Sequence, residues 1–408
     1  MNAIASFSET TLPEGMARGA PAYRHASLAL FLAGFSTFSL LYCVQPLLPE
    51  FSRSFHIGPA ESSLALSLTT GALALAIFAM GALSQALPRR PLMFASMACA
   101  ALFNLLAGIA PWWPAMLGFR LLEGLALGGV PAVAMAYLAE EIHHRDLGRA
   151  MGLYVAGTAF GGMAGRVGMG VLTDLTSWRG AMIAISIADL AAAAGFALLL
   201  PASKRFIPHE RFQLRGHPAI WLGHLRNPAM LRLFGVGFVL TSVFVTIFNY
   251  AGFRLSAAPY NLGQTAISMI FLTYISGMFT SSAAGQLADR IGRRLPAAAA
   301  LALMGLGVAA TMASALWIVI LGILLVTIGF FAAHAIASGW VGRLAGPAKG
   351  HAASLYLLFY YLGSSVTGSV GGWFWQHLGW SGVAGLSGAL ALVGVVLTLT
   401  IREERAHG

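Results

Sequence analysis

Apolar positions in this chain come in runs of about twenty, separated by short polar gaps. Each run is long enough to cross a bilayer as a helix, and none shows the strict alternation of a transmembrane β-strand. The runs predict twelve spans, at 27–49, 62–86, 91–110, 114–139, 149–172, 178–200, 230–253, 263–287, 295–314, 316–340, 350–375 and 381–401. Pro, Gly and charge punctuate them, as in PRRP at 88–91 and AGPAKG at 345–350. The expected fold is an all-α membrane protein. Its parts are a tail at 1–26, a six-helix bundle at 27–200, a linker at 201–229, a second bundle at 230–401 and a tail at 402–408.

Composition agrees: 58% of residues are hydrophobic and 9% charged, against roughly 25% charged in soluble proteins. The net charge of +10 does not point to nucleic acid, because Lys and Arg fall in the gaps between runs. Assigning the loops alternately to two sides puts 19 basic residues on one side. Only Arg53, Arg179 and Arg254 fall on the other. The basic side is therefore expected to be cytoplasmic, with both termini inside. The first 25 residues lack the positive start, apolar core and cleavage site of a signal peptide. The linker, rich in Arg, His and Pro, either lies on the anionic inner leaflet or is a plain solvated connector. Cys43 and Cys99 sit in different apolar runs and read as packing residues, with no disulfide expected.

The chain repeats internally. At a shift of 204, GALSQALPRR (81–90) falls on GQLADRIGRR (285–294) and Trp113 on Trp317. At 202, GRAMGLY (148–154) matches GHAASLY (350–356) and WRG (178–180) matches WSG (380–382). Two homologous six-span halves share one orientation, an arrangement that places a site at their interface near the midplane.

The motif Gly285, Asp289, Gly292, Arg293 and Arg294, with Arg290 inside it, resembles the signature loop of the major facilitator superfamily. Span count, repeat and long central loop extend the resemblance over nearly the whole chain. LLYCVQPLLPEFS (40–52) and YVAGTAFGGMAGRVGMGVLTD (154–174) look like bacterial inner-membrane members of the arabinose-efflux-like or multidrug type. The resemblance implies a loop that latches two helices in one state and frees them in another. Plain topology charges are the alternative, although Arg clusters alone would not need Asp289. In the first half Gln85 replaces the Asp and Pro88 the Gly, so an ionic latch is expected mainly in the second half.

Charges inside a membrane are costly and usually functional. Arg120, Glu123, Arg166 and Asp189 all lie in first-half spans. Leu324 and Gly368 take the places of Arg120 and Arg166 in the second half. RLLEG (120–124) resembles the family's fourth-span motif, whose Arg is associated with proton coupling. Helical rise puts Glu123 about 13 Å, Arg166 about 12 Å and Asp189 about 16 Å deep. The expectation is a protonatable Glu123 paired alternately with Arg120 and Arg166; a permanently satisfied ion network is the other reading. Asp189 either pairs with Arg166 or faces a polar pocket. His334, mid-span, is a second candidate for proton coupling or an ordinary buried histidine. Tyr42 and Gln45 lie one turn apart in the first span, and Asn249 takes the place of Gln45 in the seventh. Equivalent family spans line the cavity, so these three are candidate substrate contacts or simple interhelical bonds.

Small residues recur every fourth position at Gly157, Gly161 and Gly165, at Gly277, Ser281 and Gly285, and at Ser364, Gly368 and Gly372. The resemblance implies that the fifth span packs on the eighth across the halves. GTAFGGMAGR (157–166) is similar to the exporters' fifth-span motif, with Gly162 for its Pro and Arg166 for its last Gly. The expected function is a secondary transporter: proton-coupled efflux of a small organic molecule by a monomer in the bacterial inner membrane. The rival is a proton-coupled importer. No nucleophile, metal-binding or P-loop motif points to an enzyme, a bound metal, a cofactor or ATP-driven pumping.

Overall fold

The computed structural model describes residues 15–83, 87–203, 205 and 217–401. Residues 1–14, Gln85, Lys204, Arg211, Arg215, Arg402 and Arg405, all used above, lie outside the described residues. The first half contains six passes. α1 (Pro21–Tyr42) runs through a 3-10 turn at Gln45–Leu47 into α2 (Leu48–Phe55), and α3 (Pro59–Leu83) and α4 (Arg89–Ile109) follow. α5 (Trp113–Leu127) and α6 (Gly129–Glu141) form one interrupted pass, then come α7 (Leu147–Leu175) and α8 (Trp178–Leu199). A linker helix, α9 (His217–Arg226), leads to the second half.

There α10 (Pro228–Ser256) precedes a pass made of α11 (Gln264–Ser268), a 3-10 stretch at Met269–Thr273 and α12 (Tyr274–Ile291). α13 (Arg294–Ala310), α14 (Leu316–Leu344) and α15 (Lys349–Leu399) complete the chain. Gly379, with φ 59° and ψ −147°, breaks α15 into the last two passes. The twelve expected spans are therefore all present. Nine segments among the described residues are long and apolar enough to cross a membrane unaided, and the last of these holds two passes.

Helix ends follow local chemistry. Asn227 accepts hydrogen bonds from the free amides of Ala229 and Met230 and is followed by Pro228, which fits a first helical position. Ser177 caps α8 through Gly180 N. Gly292 ends α12 at a φ of 89°, a conformation that a side chain disfavours. The segment before α1 is not a loose tail over its described part. Met16 pairs with Glu141 and His143, and Arg18 N donates to Asp146.

The fifth pass packs on the eighth across the halves as expected, but not through its glycine stripe. The glycine stripe of α7 faces α1 within its own half: Gly157, Gly161 and Gly165 lie against the backbone of Phe31, Phe35 and Ser39. A Cβ on Gly161 would stand 2.1 Å from the Phe35 carbonyl oxygen. Spacing reveals that a helix can be approached closely, but not by which neighbour. The cross-half contact of α7 is instead made further along, where Gly170 abuts Ser268 of α11.

The halves meet along two seams at the face remote from the termini. Thr265 N donates to Asp174 at 2.8 Å and Gln264 Nε2 to Glu50 at 3.2 Å. On the other seam Ser365 Oγ donates to Ser67 O at 2.7 Å, and Gly372 lies so close to Ala60 that a Cβ would meet its Cα at 2.3 Å. Towards the termini several glycines face open space. A Cβ on Gly285, Gly339, Gly342 or Gly350 would meet no atom within 4 Å. There α1 and α7 line a cleft of about 640 Å³ that includes Tyr23, Arg24, Phe31 and Arg149. The linker helix neither floats in solvent nor lies apart from the bundle. The Trp221 ring sits 4.2 Å from Phe78 of α3 and 5.8 Å from His351 of α15.

Candidate functional site

The site begins where α1 unwinds. Pro46 lies in the 3-10 turn that replaces regular helix at 45–47, and the last carbonyls of α1 lose their usual partners. Arg120 of α5 supplies replacements. Its Nη2 donates to Leu41 O at 3.0 Å, its Nη1 to Leu40 O at 3.4 Å and its Nε to Ala65 O of α3 at 2.9 Å. Nη1 also reaches Asn104 of α4 at 3.3 Å and Glu123 at 2.5 Å. Both members of the Arg120–Glu123 pair are wholly buried. Three residues apart, they share one face of α5, as the sequence spacing predicts. Glu123 spends only one oxygen on Arg120. Its Oε1 has no hydrogen-bond partner among the described residues.

Arg166 stands apart from that pair. It forms no ion pair with a carboxylate among the described residues, so neither expected partner, Glu123 or Asp189, is beside it here. Its Nε donates to Gln45 Oε1 and its Nη1 to the Gly162 carbonyl of its own helix, both at 2.6 Å. The guanidinium carbon lies 4.1 Å from the Tyr42 ring centroid, 4.9 Å from Tyr274 and 5.0 Å from Phe271. Gln45 in turn donates from Nε2 to Asn249 Oδ1 at 2.8 Å. The structure thus brings Arg166, Tyr42, Gln45 and Asn249 together, in a polar chain that runs from α7 through the broken first pass to α10.

Asp189 takes a partner from α1. It accepts from Ser39 Oγ at 3.1 Å, and its Oδ1 has no partner among the described residues. Its helix, α8, packs on α1, α4 and α7 inside the first half. The buried carboxyl is held by a hydroxyl of α1, and Ser39 packs at the same time against Gly165 of α7.

The second half contributes rings rather than charge. Phe248 stacks on Phe271 at 5.1 Å, and Tyr274 meets both edge-on. Phe244 stacks on Phe330 at 3.9 Å. His334 belongs to the same cluster, parallel to Phe330 and hydrogen bonded through Nδ1 to the Tyr356 hydroxyl at 3.0 Å. In the sequence Phe35, Phe38, Phe244, Phe248, Met269 and Phe271 read either as an apolar pocket or as ordinary packing and lipid-facing residues; nothing in their spacing marks a cluster around Arg166.

The loop motif forms an ionic clasp. Asp289 accepts from Arg293 at 2.7 Å and from Arg343, at the end of α14, at 2.8 Å. Arg290 and Arg294 are exposed, and Gly285 faces open space. The first half has a clasp that motif reading misses, because it has opposite polarity. Arg89, the repeat partner of Arg293, binds Glu140 near the end of α6 at 2.8 Å. A basic residue at a helix start there meets an acidic helix end, whereas Asp289 is an acidic residue meeting a basic helix end.

Comparison with known proteins places these features in a wider set. The profile of the Major Facilitator Superfamily matches residues 30–279 and 252–408. The MFS-type transporter YybF of Bacillus subtilis is 42% identical over 381 residues, which cover 93% of this chain and 94% of that protein. The inner membrane transport protein YnfM of Escherichia coli is 42% identical over 398 residues, 96% of this chain and 93% of the other. Among solved structures, a bacterial homologue of the human lysosomal transporter Spinster, in an inward-facing and unoccupied conformation, superposes with a TM-score of 0.73. That match has 13% identity and covers 93% of this chain and 95% of the other.

Proposed function

The chain belongs to the major facilitator superfamily and is a multi-pass membrane transporter, and from that premise we propose that it works by proton-coupled efflux of a small organic molecule. The observation that carries the coupling is Glu123, a fully buried carboxylate that binds Arg120 through one oxygen and leaves the other without a partner. Such a group is costly to keep charged inside a membrane and can load a proton when its surroundings change. Arg120 also holds the carbonyls of Leu40, Leu41 and Ala65. A change of charge at Glu123 therefore reaches α1 and α3 directly.

Alternating access is supported by the two seams that join the halves at one face. The loop charges support a cytoplasmic position for both termini, so the sealed face is periplasmic and the protein rests inward-open in the inner membrane. In this reading the Asp289–Arg343 and Arg89–Glu140 clasps set the cytoplasmic rim of each half. The protein acts as a monomer, because each chain has both halves of the site. An importer would use the same parts with the gradient working in the other sense.

Transport into inverted membrane vesicles, screened over a substrate panel with and without a pH gradient, tests this function. Gradient-driven accumulation by the native protein, lost in Glu123→Gln, is the expected result. Accumulation that survives Glu123→Gln removes the coupling role from that residue, and accumulation only in right-side-out vesicles reverses the direction.

A further inference from the structure

The two buried arginines of the first half are treated differently. Arg120 has a carboxylate and three backbone carbonyls around it. Arg166, 2% exposed, has one amide oxygen, one carbonyl of its own helix and no carboxylate among the described residues. A guanidinium left that way at membrane depth is expensive, and ring faces offset only part of its charge. Two further groups in the same centre are unmet. The Tyr274 hydroxyl, in a residue 6% exposed, and Asn249 Nδ2 have no hydrogen-bond partner among the described residues. The Tyr274 ring lies 4.9 Å from the Arg166 guanidinium.

These groups share one property: a guanidinium, a phenolic O–H and an amide N–H all donate. What complements them is an acceptor with negative charge. The walls around them are flat rings, Tyr42, Phe271 and Tyr274, with Phe248 stacked behind Phe271. A cationic cargo would meet Arg166 first and find no free carboxylate there. Glu123 is held by Arg120, and Asp189 is bonded to Ser39.

We propose that the cargo is an aromatic organic anion, with its carboxylate held between Arg166 and the Tyr274 hydroxyl and its ring against the aromatic wall. This rests on the transporter reading above and adds a substrate class to it. Gln45 acts as a positioning residue, since it fixes Arg166 from one side and Asn249 from the other.

The test is binding to the purified full-length protein in detergent, without any gradient, using three ring-matched probes: 2-naphthoate, 2-naphthamide and 2-(aminomethyl)naphthalene. Naphthoate should bind at least about 10-fold tighter than the amide, with the amine weakest. Arg166→Gln should cost about 100-fold in naphthoate affinity. Tyr274→Phe, which keeps the ring and removes only the hydroxyl, should cost about 10-fold and covers the case where the arginine variant does not fold. Equal binding of the three probes, preference for the amine, no response to any probe, or unchanged naphthoate affinity in either variant overturns the proposal. Gradient-driven movement of amines that ignores Arg166→Gln would sink this inference and leave the efflux reading standing. Naphthoate binding that obeys these rules, with no gradient-driven movement, would uphold it and sink the coupling.

Discussion

Gln45 and Asn249 stand 204 positions apart, the same offset that aligns the two halves of the sequence, and they are hydrogen bonded to each other at 2.8 Å. Two positions equivalent under an internal repeat can touch only where the axis relating the halves passes between them. The bond therefore marks the centre of the molecule. Arg166 joins it from one half, with no counterpart in the other, where Gly368 takes its place. The asymmetry of the site is thus built on a symmetric pair.

Gln45→Ala removes an acceptor from a buried guanidinium and a donor from Asn249. Unfolding in detergent should show a loss of about 1–3 kcal/mol. A double-mutant cycle with Asn249→Ala should give a coupling of about 0.5 kcal/mol or more. Strict additivity would mean that the bond does not form in solution.

Arg120→Ala leaves Glu123 uncompensated and takes its donors from the carbonyls of Leu40 and Leu41. The expected cost is about 3–5 kcal/mol, read as a lowered unfolding midpoint. Adding Glu123→Gln should recover part of that loss, because the uncompensated charge is then gone. A double variant no more stable than Arg120→Ala alone would show that the carbonyl contacts, not the ion pair, dominate.

The two clasps differ in polarity, which allows a swap. Arg89→Glu should impair transport, and combining it with Glu140→Arg should restore it at least in part. Asp289→Asn loses two ion pairs, yet Asp289 is 55% exposed, so its stability cost should stay below about 1 kcal/mol. Transport rate and unfolding midpoint, measured on the same preparations, separate the two effects. A fall in midpoint well beyond that bound would make the clasp a structural brace.

Gly170→Val should hold the remote face ajar, because a Cβ there would stand 1.8 Å from Ser268 Oγ. A single cysteine at Thr265, in a background with Cys43 and Cys99 replaced, should react several-fold faster with a membrane-impermeant maleimide. Unchanged labelling would show that α11 moves aside without opening the seam.

Much of this fold was legible because apolar run length is a direct consequence of bilayer thickness. Charge bias and the repeat are equally plain in the letters. Hydropathy does not register helix breaks, however, so the unwound turn at 45–47 was hidden inside a continuous apolar window. That turn creates the acceptors that Arg120 binds. Contact choice was hidden too. Nothing in the spacing of Gly157, Gly161 and Gly165 says that α1, not a helix of the other half, fills the groove. Glu140 escaped notice because its partner sits in a loop whose motif is degenerate, at Gln85 and Pro88. Arg166 and Asp189 looked like partners by depth alone. Depth fixes one coordinate, and each takes other partners: Arg166 bonds Gln45 and Asp189 bonds Ser39.

The connection between the halves is more than a length of chain. Trp221 rests against Phe78 from one half and near His351 from the other. Any swing that spreads the helices at that end must peel the indole away from one of them. The linker helix is thus tied to both halves at once, and opening that end costs one of its two ring contacts.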